Sequence, residues 1–384
     1  MGLLLALGIV LATRTLLGEE AFQDWGWRIP FLMSSVLLAI SLWIRLRLSE
    51  SPAFQKMKDE MRLSQAPIAE SFRGPNLRRV LRALFAIVLA QGAVWYTAHF
   101  YAQFYLERVL KMDPRLVNQL VIGAVILSAG GYVFFGWLSD RWGRKPVMLM
   151  GMIVSVLAYF PAFNAMTAWG NPGLLAAVES APVTVIAPAG ECHLQFDALG
   201  RRKLVSACDV MRTALADAGV PYRQEAPPAG STATQVRVGS AVVDSGEVQD
   251  LRAALQAAGY PAAADRDAAH PWAILGILLL LMLASTALYG PQAAALVELF
   301  PTQVRYTALS VPYNIGVGWV GGLLPVRAFA LVAARGDINA GLLYPLFFTL
   351  VSIICALLFL PETRGIPLEE AGTATAAVSR SPAA

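Results

Sequence analysis

Charge is scarce in this chain. Only 15% of its 384 residues are Asp, Glu, Lys or Arg, while 57% are hydrophobic and the mean hydropathy is +0.55. A soluble globular domain carries roughly 25% charged residues, so the deficit argues against an ordinary soluble enzyme and for a polytopic membrane protein. Nucleotide-binding sequence is also missing. No G-x-x-x-x-G-K-[ST] occurs, and Gly316, Gly318, Gly321 and Gly322 lie in an apolar run rather than after a strand, which disfavours an ATP-driven pump. No nucleophile stands with a nearby base, so no covalent enzyme chemistry is expected, and no cofactor is implied. The net charge of +4 does not suggest nucleic acid, because the bases cluster beside the ends of apolar runs instead of forming a basic domain.

What is abundant is long apolar sequence. About eight runs approach the roughly 20 residues that a helix needs to cross a hydrocarbon core of about 30 Å. They lie near Met1 to Leu17, Trp27 to Ile44, Val80 to Leu106, Leu116 to Leu138, Val147 to Ala168, Trp272 to Val297, Ser310 to Ala333 and Leu342 to Leu360. The loop holding Arg45, Arg47, Lys56, Lys58, Arg62, Arg73, Arg78 and Arg79 belongs in the cytoplasm by its excess of bases. Alternation then places the turn around Asp140 inside as well. Arg108, Lys111 and Arg115 fall on the outer side against this trend, but Glu107 and Asp113 sit among them.

The turn from Gly136 to Pro146 joins two of these runs. It carries Asp140, Arg141, Arg144 and Lys145, with Gly136 allowing close helix approach and Gly143 a tight turn. An ordinary positive-inside turn would explain the bases alone. Gly136, Asp140, Arg141, Gly143, Arg144 and Lys145 meet every fixed position of G-x-x-x-D-[RK]-x-G-[RK]-[RK], and here the sequence resembles the major facilitator superfamily of transporters. Three further segments are similar to its metabolite:proton symporter branch, the relatives of proline/betaine, shikimate, citrate and oxoglutarate transporters. They are Trp25 to Phe31 with Arg45 to Pro52, Glu298 to Arg305, and Pro361 to Gly365. The resemblance implies an all-α polytopic membrane protein, a major facilitator helical bundle, with about 8 spans of a 12-span fold. The hydrophilic run from about Asn171 to Pro271 departs from that pattern and reads as a small α+β extracytoplasmic insert.

On that pattern residues 1–44 are the last two helices of the N-terminal half, and 45–79 the cytoplasmic loop between halves. Residues 80–170 are the first three helices of the C-terminal half, 171–271 the insert, 272–361 the last three helices and 362–384 a cytoplasmic tail. The first four helices of that pattern are absent, so the sequence is expected to be either a fragment of a longer gene product that supplies them or a degenerate member. Met1 to Leu17 reads as a span and not as a signal peptide, because it lacks a basic start and a small-residue cleavage pattern.

Within the insert, Pro182 to Ile186 and Thr234 to Val238 read as strands, and Ser206 to Ala218 and Gly246 to Ala258 as amphipathic helices. A turn-rich run from Glu225 to Gly230 separates two of them. Cys192 and Cys208 are an even pair in a segment that topology places outside, which favours a disulfide in an autonomous module. Metal binding by Cys192, His193 and Cys208 is disfavoured for want of a fourth ligand, so no metal is expected.

Polar residues inside spans are costly and mark cavities or partner helices. Gln91, Trp95, His99 and Gln103 recur every four residues beside Tyr96, forming one polar and aromatic face. Histidine titrates near pH 6.5 in water, so His99 could carry a coupling proton, or could hydrogen-bond a neighbouring helix for packing alone. Tyr289 to Gln292 is expected to interrupt the sixth span and Pro312 to Asn314 to open the seventh. Tyr289, Gln292 and Asn314 thereby join the substrate and proton pathway, with Arg327 an anion contact near the outer end, while the glycines serve tight packing. The family resemblance implies a cytoplasmic gate in which Asp140, Glu298 and Arg305 lock helices in one access state.

The expectation is a secondary active transporter of the plasma (inner) membrane, multi-pass, with residues 171–271 extracytoplasmic. It would carry out proton-coupled symport of a small organic acid or zwitterionic metabolite by alternating access. Its partners would be a small-molecule metabolite, a proton and the lipid bilayer, with no nucleic acid. A sugar porter-like transporter, or a transport-inactive sensor or accessory protein acting through the insert, are the alternatives.

Overall fold

The computed structural model describes residues 2–48, 55, 65–193, 206–228, 233–244 and 248–365. Glu50, Ser51 and Pro52 of one family segment, the bases Lys56, Lys58 and Arg62, the end of the turn-rich run at Gly230, and most of the tail lie outside the described residues. Seven helices are long and apolar enough to cross a membrane: α2 (Arg28–Arg47), α3 (Gly74–Val109), α4 (Pro114–Trp142), α5 (Arg144–Gly170), α9 (Pro271–Leu299), α10 (Arg305–Arg335) and α11 (Ala340–Phe359). Helix α1 (Gly2–Leu17), expected to span, has 16 residues and falls short of that length. The chain is a multi-pass membrane protein.

Local chemistry sets the helix ends. Asp113 accepts the amide of Arg115 ahead of Pro114, and Asn171 accepts that of Leu174 ahead of Pro172, so each new helix begins with a side-chain cap and a proline that lacks the surplus N–H. Gly143 separates α4 from α5 with φ +108, a conformation that a side chain would strain.

Helix α3 lies at the centre, with 67% of its most apolar window buried, whereas none of the α2 window is buried within the described structure. Gly92 of α3 meets Gly316 of α10 so closely that a Cβ on Gly92 would stand 2.3 Å from the Gly316 carbonyl oxygen. Helices α4, α5 and α9 pack together along their lengths. The expected interruption at Tyr289 to Gln292 does not occur: α9 runs continuously through Pro291. Likewise α10 begins at Arg305 rather than at Pro312. The proline is absorbed by a widened π-helical stretch from Asn314 to Gly321, which rearranges the local hydrogen bonds without ending the helix.

Between α5 and α9 stands the α+β insert. After α6 (Pro172–Ser180) come β1 (Val183–Ile186), α7 (Ala207–Asp217), β2 (Tyr222–Glu225), β3 (Gln235–Val238), β4 (Ala241–Asp244) and α8 (Val248–Ala257). The strand order is β2-β1-β3-β4, parallel between β1 and β2 and antiparallel elsewhere. Strands β2 and β4 escape the sequence reading because both are four-residue edge strands with one buried residue each. Cys192 and Cys208 are disulfide-bonded, with Cα atoms 5.3 Å apart.

The insert is not a detached module. Its buried Val183, Val185, Cys208, Met211 and Leu215 belong to one continuous core with Tyr101, Tyr105 and Leu110 of the bundle. Arg212 of α7, only 5% exposed, donates Nε to the Ala333 carbonyl at 3.0 Å and reaches the Ala334 carbonyl, capping the last turn of α10. The Gly336 carbonyl accepts the Tyr222 amide at 2.7 Å. Burial pushes the Tyr222 hydroxyl above the usual tyrosine range, which keeps it a donor to Ala333.

Candidate functional site

Two polar constellations occupy the bundle. The first lies where α3 faces α9, about halfway along α3. Gln292 Nε2 donates to Gln91 Oε1 at 2.5 Å, both side chains being buried, and Gln292 Oε1 has no donor among the described residues. One turn along α3, Trp95 stacks on His99 with ring centroids 4.8 Å apart, and Trp95 lies 6.5 Å from Tyr289. Tyr132 of α4 meets Tyr289 edge-on at 5.8 Å, and the Tyr289 and Tyr313 hydroxyls are 3.2 Å apart. Four helices thus contribute to one aromatic cluster with an amide pair at its side.

His99 is buried in a π-helical turn, Thr97–Tyr101, inside α3. Its Nδ1 stands 2.9 Å from the Trp95 carbonyl, a bond that makes Nδ1 the donor in a neutral ring and leaves the Nε2 lone pair available. The other expected pathway residues lie elsewhere. Gln103 is further along α3, donating to Glu107 at 3.0 Å and to Asn118 of α4 at 3.1 Å. Tyr96 turns toward α10, where a Cβ on Gly321 would collide with its ring. Asn314 is exposed and donates to the Ser310 carbonyl of its own helix at 2.8 Å, and Arg327 is exposed on α10. Tyr132 and Tyr313 are members that the sequence reading missed, since tyrosine in an apolar helix carries no periodic signal.

The second constellation surrounds the Asp140 turn. Arg144 donates to Ser139 Oγ at 2.7 Å, pairs with Asp140 on the adjoining helix end, and reaches Glu298 of α9 at 3.3 Å. Glu298 also accepts the Thr363 hydroxyl at 2.5 Å. Glu362 accepts the Arg144 amide at 2.9 Å and the Lys145 amide at 3.1 Å, so a carboxylate from beyond α11 caps the start of α5, where the helix dipole favours negative charge. Lys145 Nζ donates to the carbonyls of Leu357 and Leu360 at 3.1 and 2.9 Å.

Gly136 lets α4 approach α9: a Cβ on Gly290 would lie 3.0 Å from the Gly136 amide. Arg141 stacks its guanidinium over Trp137 at 4.1 Å and Arg305 donates to the Phe300 carbonyl at 3.0 Å. The constellation therefore ties α4, α5, α9 and the segment after α11 through charges that water reaches on one side: Asp140 is 63% exposed, Glu298 10%. Ser139, Glu362 and Thr363 are its unforeseen members. The Pro361 to Gly365 segment flagged its importance without revealing a cap 218 residues away.

Comparison with known proteins brings both halves together. A family profile described as Major Facilitator Superfamily matches residues 1–186, and one described as Sugar (and other) transporter matches residues 253–374. The Proline/betaine transporter of Salmonella typhimurium is 33% identical over 171 residues, 42% of this chain and 34% of that protein. The Shikimate transporter of Escherichia coli is 32% identical over 173 residues, 44% of this chain and 38% of that one. The Inner membrane metabolite transport protein YhjE of Escherichia coli is 29% identical over 179 residues, 46% and 40% of the two chains. The matched part thus spans 34–40% of the length of these curated relatives. No solved structure gives a significant match.

Proposed function

Since the chain belongs to the major facilitator superfamily, and is not an enzyme, we propose that it acts in proton-coupled symport of a small zwitterionic or organic-acid metabolite by alternating access. The observation that carries this reading is the cluster of Gln91, Gln292, Trp95, His99, Tyr132, Tyr289 and Tyr313. A buried acceptor without a donor is costly, and a substrate N–H or a protonated carboxyl would satisfy Gln292 Oε1. Aromatic faces attract a cationic nitrogen by about 0.5–2 kcal/mol each, which favours a zwitterion with an onium group, in keeping with the proline and betaine named for one relative. His99 supplies the coupling site through Nε2. The Asp140–Arg144–Glu298–Thr363 network is the inner gate, and the insert lies on the extracytoplasmic side. In such a gate a few kcal/mol decides between two packed states.

The match of residues 253–374 to the sugar transporter profile favours a second reading, a sugar porter. Counterflow in proteoliposomes separates the two. With an inward proton gradient, labelled proline or glycine betaine should accumulate while glucose does not, and Trp95→Leu should reduce uptake at least tenfold. Glucose accumulation would establish the sugar reading. Absence of any counterflow would leave the transport-inactive alternative.

A further inference from the structure

A cleft of about 310 Å³ opens between the first turns of α3 and the last turns of α11. Leu81, Phe85, Ala86, Cys355 and Phe359 wall it, and Arg78 and Arg82 complete its lining. Residues 78, 82 and 85 recur at helical spacing and therefore share one face of α3. Lys145 fixes the level: its bonds to Leu357 and Leu360 place this end of α11 beside the Asp140 turn, at the basic end of the bundle. Leu81, Phe85 and Phe359 are exposed at 43%, 40% and 57%, so the cleft opens at the surface of the described helices.

The two arginines are also exposed, and among the described residues neither has a carboxylate within salt-bridge distance. An apolar slot beside two guanidinium groups that no described carboxylate neutralises asks for two things in one ligand, an anion and attached hydrocarbon. A soluble anion would leave the apolar walls wet. A zwitterionic lipid would bring its own cation against the arginines. Guanidinium groups bind phosphate oxygens in pairs, and basic pockets between helices on the cytoplasmic side suit anionic headgroups. We infer that this cleft is a binding site for an anionic glycerophospholipid of the inner leaflet, with the phosphodiester on Arg78 and Arg82 and the start of one acyl chain along Phe85 and Phe359. The inference rests on membrane embedding and on the Asp140 end being cytoplasmic, and is independent of transport.

Cys355 supplies an internal reporter, because it is the free thiol in a chain whose other two cysteines are bonded, and it lines the cleft. The full chain is placed in nanodiscs of phosphatidylcholine with increasing phosphatidylglycerol, and maleimide labelling of Cys355 is timed. Phosphatidylglycerol should slow labelling at least severalfold, and inorganic phosphate at millimolar concentration should not. In native mass spectrometry, phosphatidylglycerol should be retained over phosphatidylcholine, and Arg78→Gln with Arg82→Gln should weaken that preference on the order of tenfold. Equal labelling in the two lipids, or slowing by inorganic phosphate alone, would overturn the assignment even if the double variant failed to fold.

Discussion

At the scale of single residues, the Asp140 turn separates two contributions that a sequence motif merges. Asp140 is largely in water and its pair with Arg144 is screened, so its worth to stability is about 0–1 kcal/mol. Glu298 is nearly enclosed and holds both Arg144 and Thr363, and removing one member of a buried pair costs about 3–5 kcal/mol. Asp140→Asn should therefore leave insertion and melting temperature almost unchanged while slowing uptake at least tenfold. Glu298→Gln should lower the melting temperature by several degrees. Fluorescence-detected melting and initial uptake rates on the two variants check the ordering, and a larger melting shift for Asp140→Asn would contradict it.

At the scale of elements, the insert is tied at two places by different means. The Cys192–Cys208 bond fastens the segment after β1 to the start of α7. Closing a loop of about 15 residues is worth roughly 3 kcal/mol in the chain-entropy picture. Exported protein should show one alkylatable thiol, Cys355, until it is reduced, and reduction should destabilise the insert. Mass spectrometry after alkylation reads this directly. Arg212 fastens α7 to the end of α10, where it satisfies carbonyls that the helix leaves without partners. Arg212→Ala should speed hydrogen exchange in the last turn of α10 and across β2 by at least tenfold, with the inner end of the bundle unaffected. Unchanged exchange there would mean that the shared core alone holds the insert in place.

For the whole molecule, the testable statement is its orientation. Helix α5 is 27 residues long, about 40 Å, so its two ends lie on opposite sides of a bilayer. The Asp140 turn stands at one end and the insert follows the other. Protease added to intact spheroplasts should cut within residues 171–271 and spare the Asp140 turn, and inside-out vesicles should show the reverse. Cleavage of the insert in inside-out vesicles alone would invert the topology and, with it, the leaflet of the lipid cleft.

The sequence by itself determined what depends on neighbours along the chain. Hydropathy located seven of the membrane helices, the spacing from Gly136 to Lys145 carried the resemblance to the family, and the periodicity within the insert marked β1, β3, α7 and α8. Each of these signals is local and needs no knowledge of what lies opposite. The tertiary structure decided which polar residues meet. Gln91 finds Gln292 across 201 positions and Glu362 caps α5 across 218, while Gln103 and Asn314, alike in polarity, turn to other partners. Periodicity gives the face of a helix but not the helix that will cover it. The proline and tyrosine stretches expected to break α9 and α10 are carried within continuous helices for the same reason: neighbouring packing outweighs a local propensity of about 3 kcal/mol.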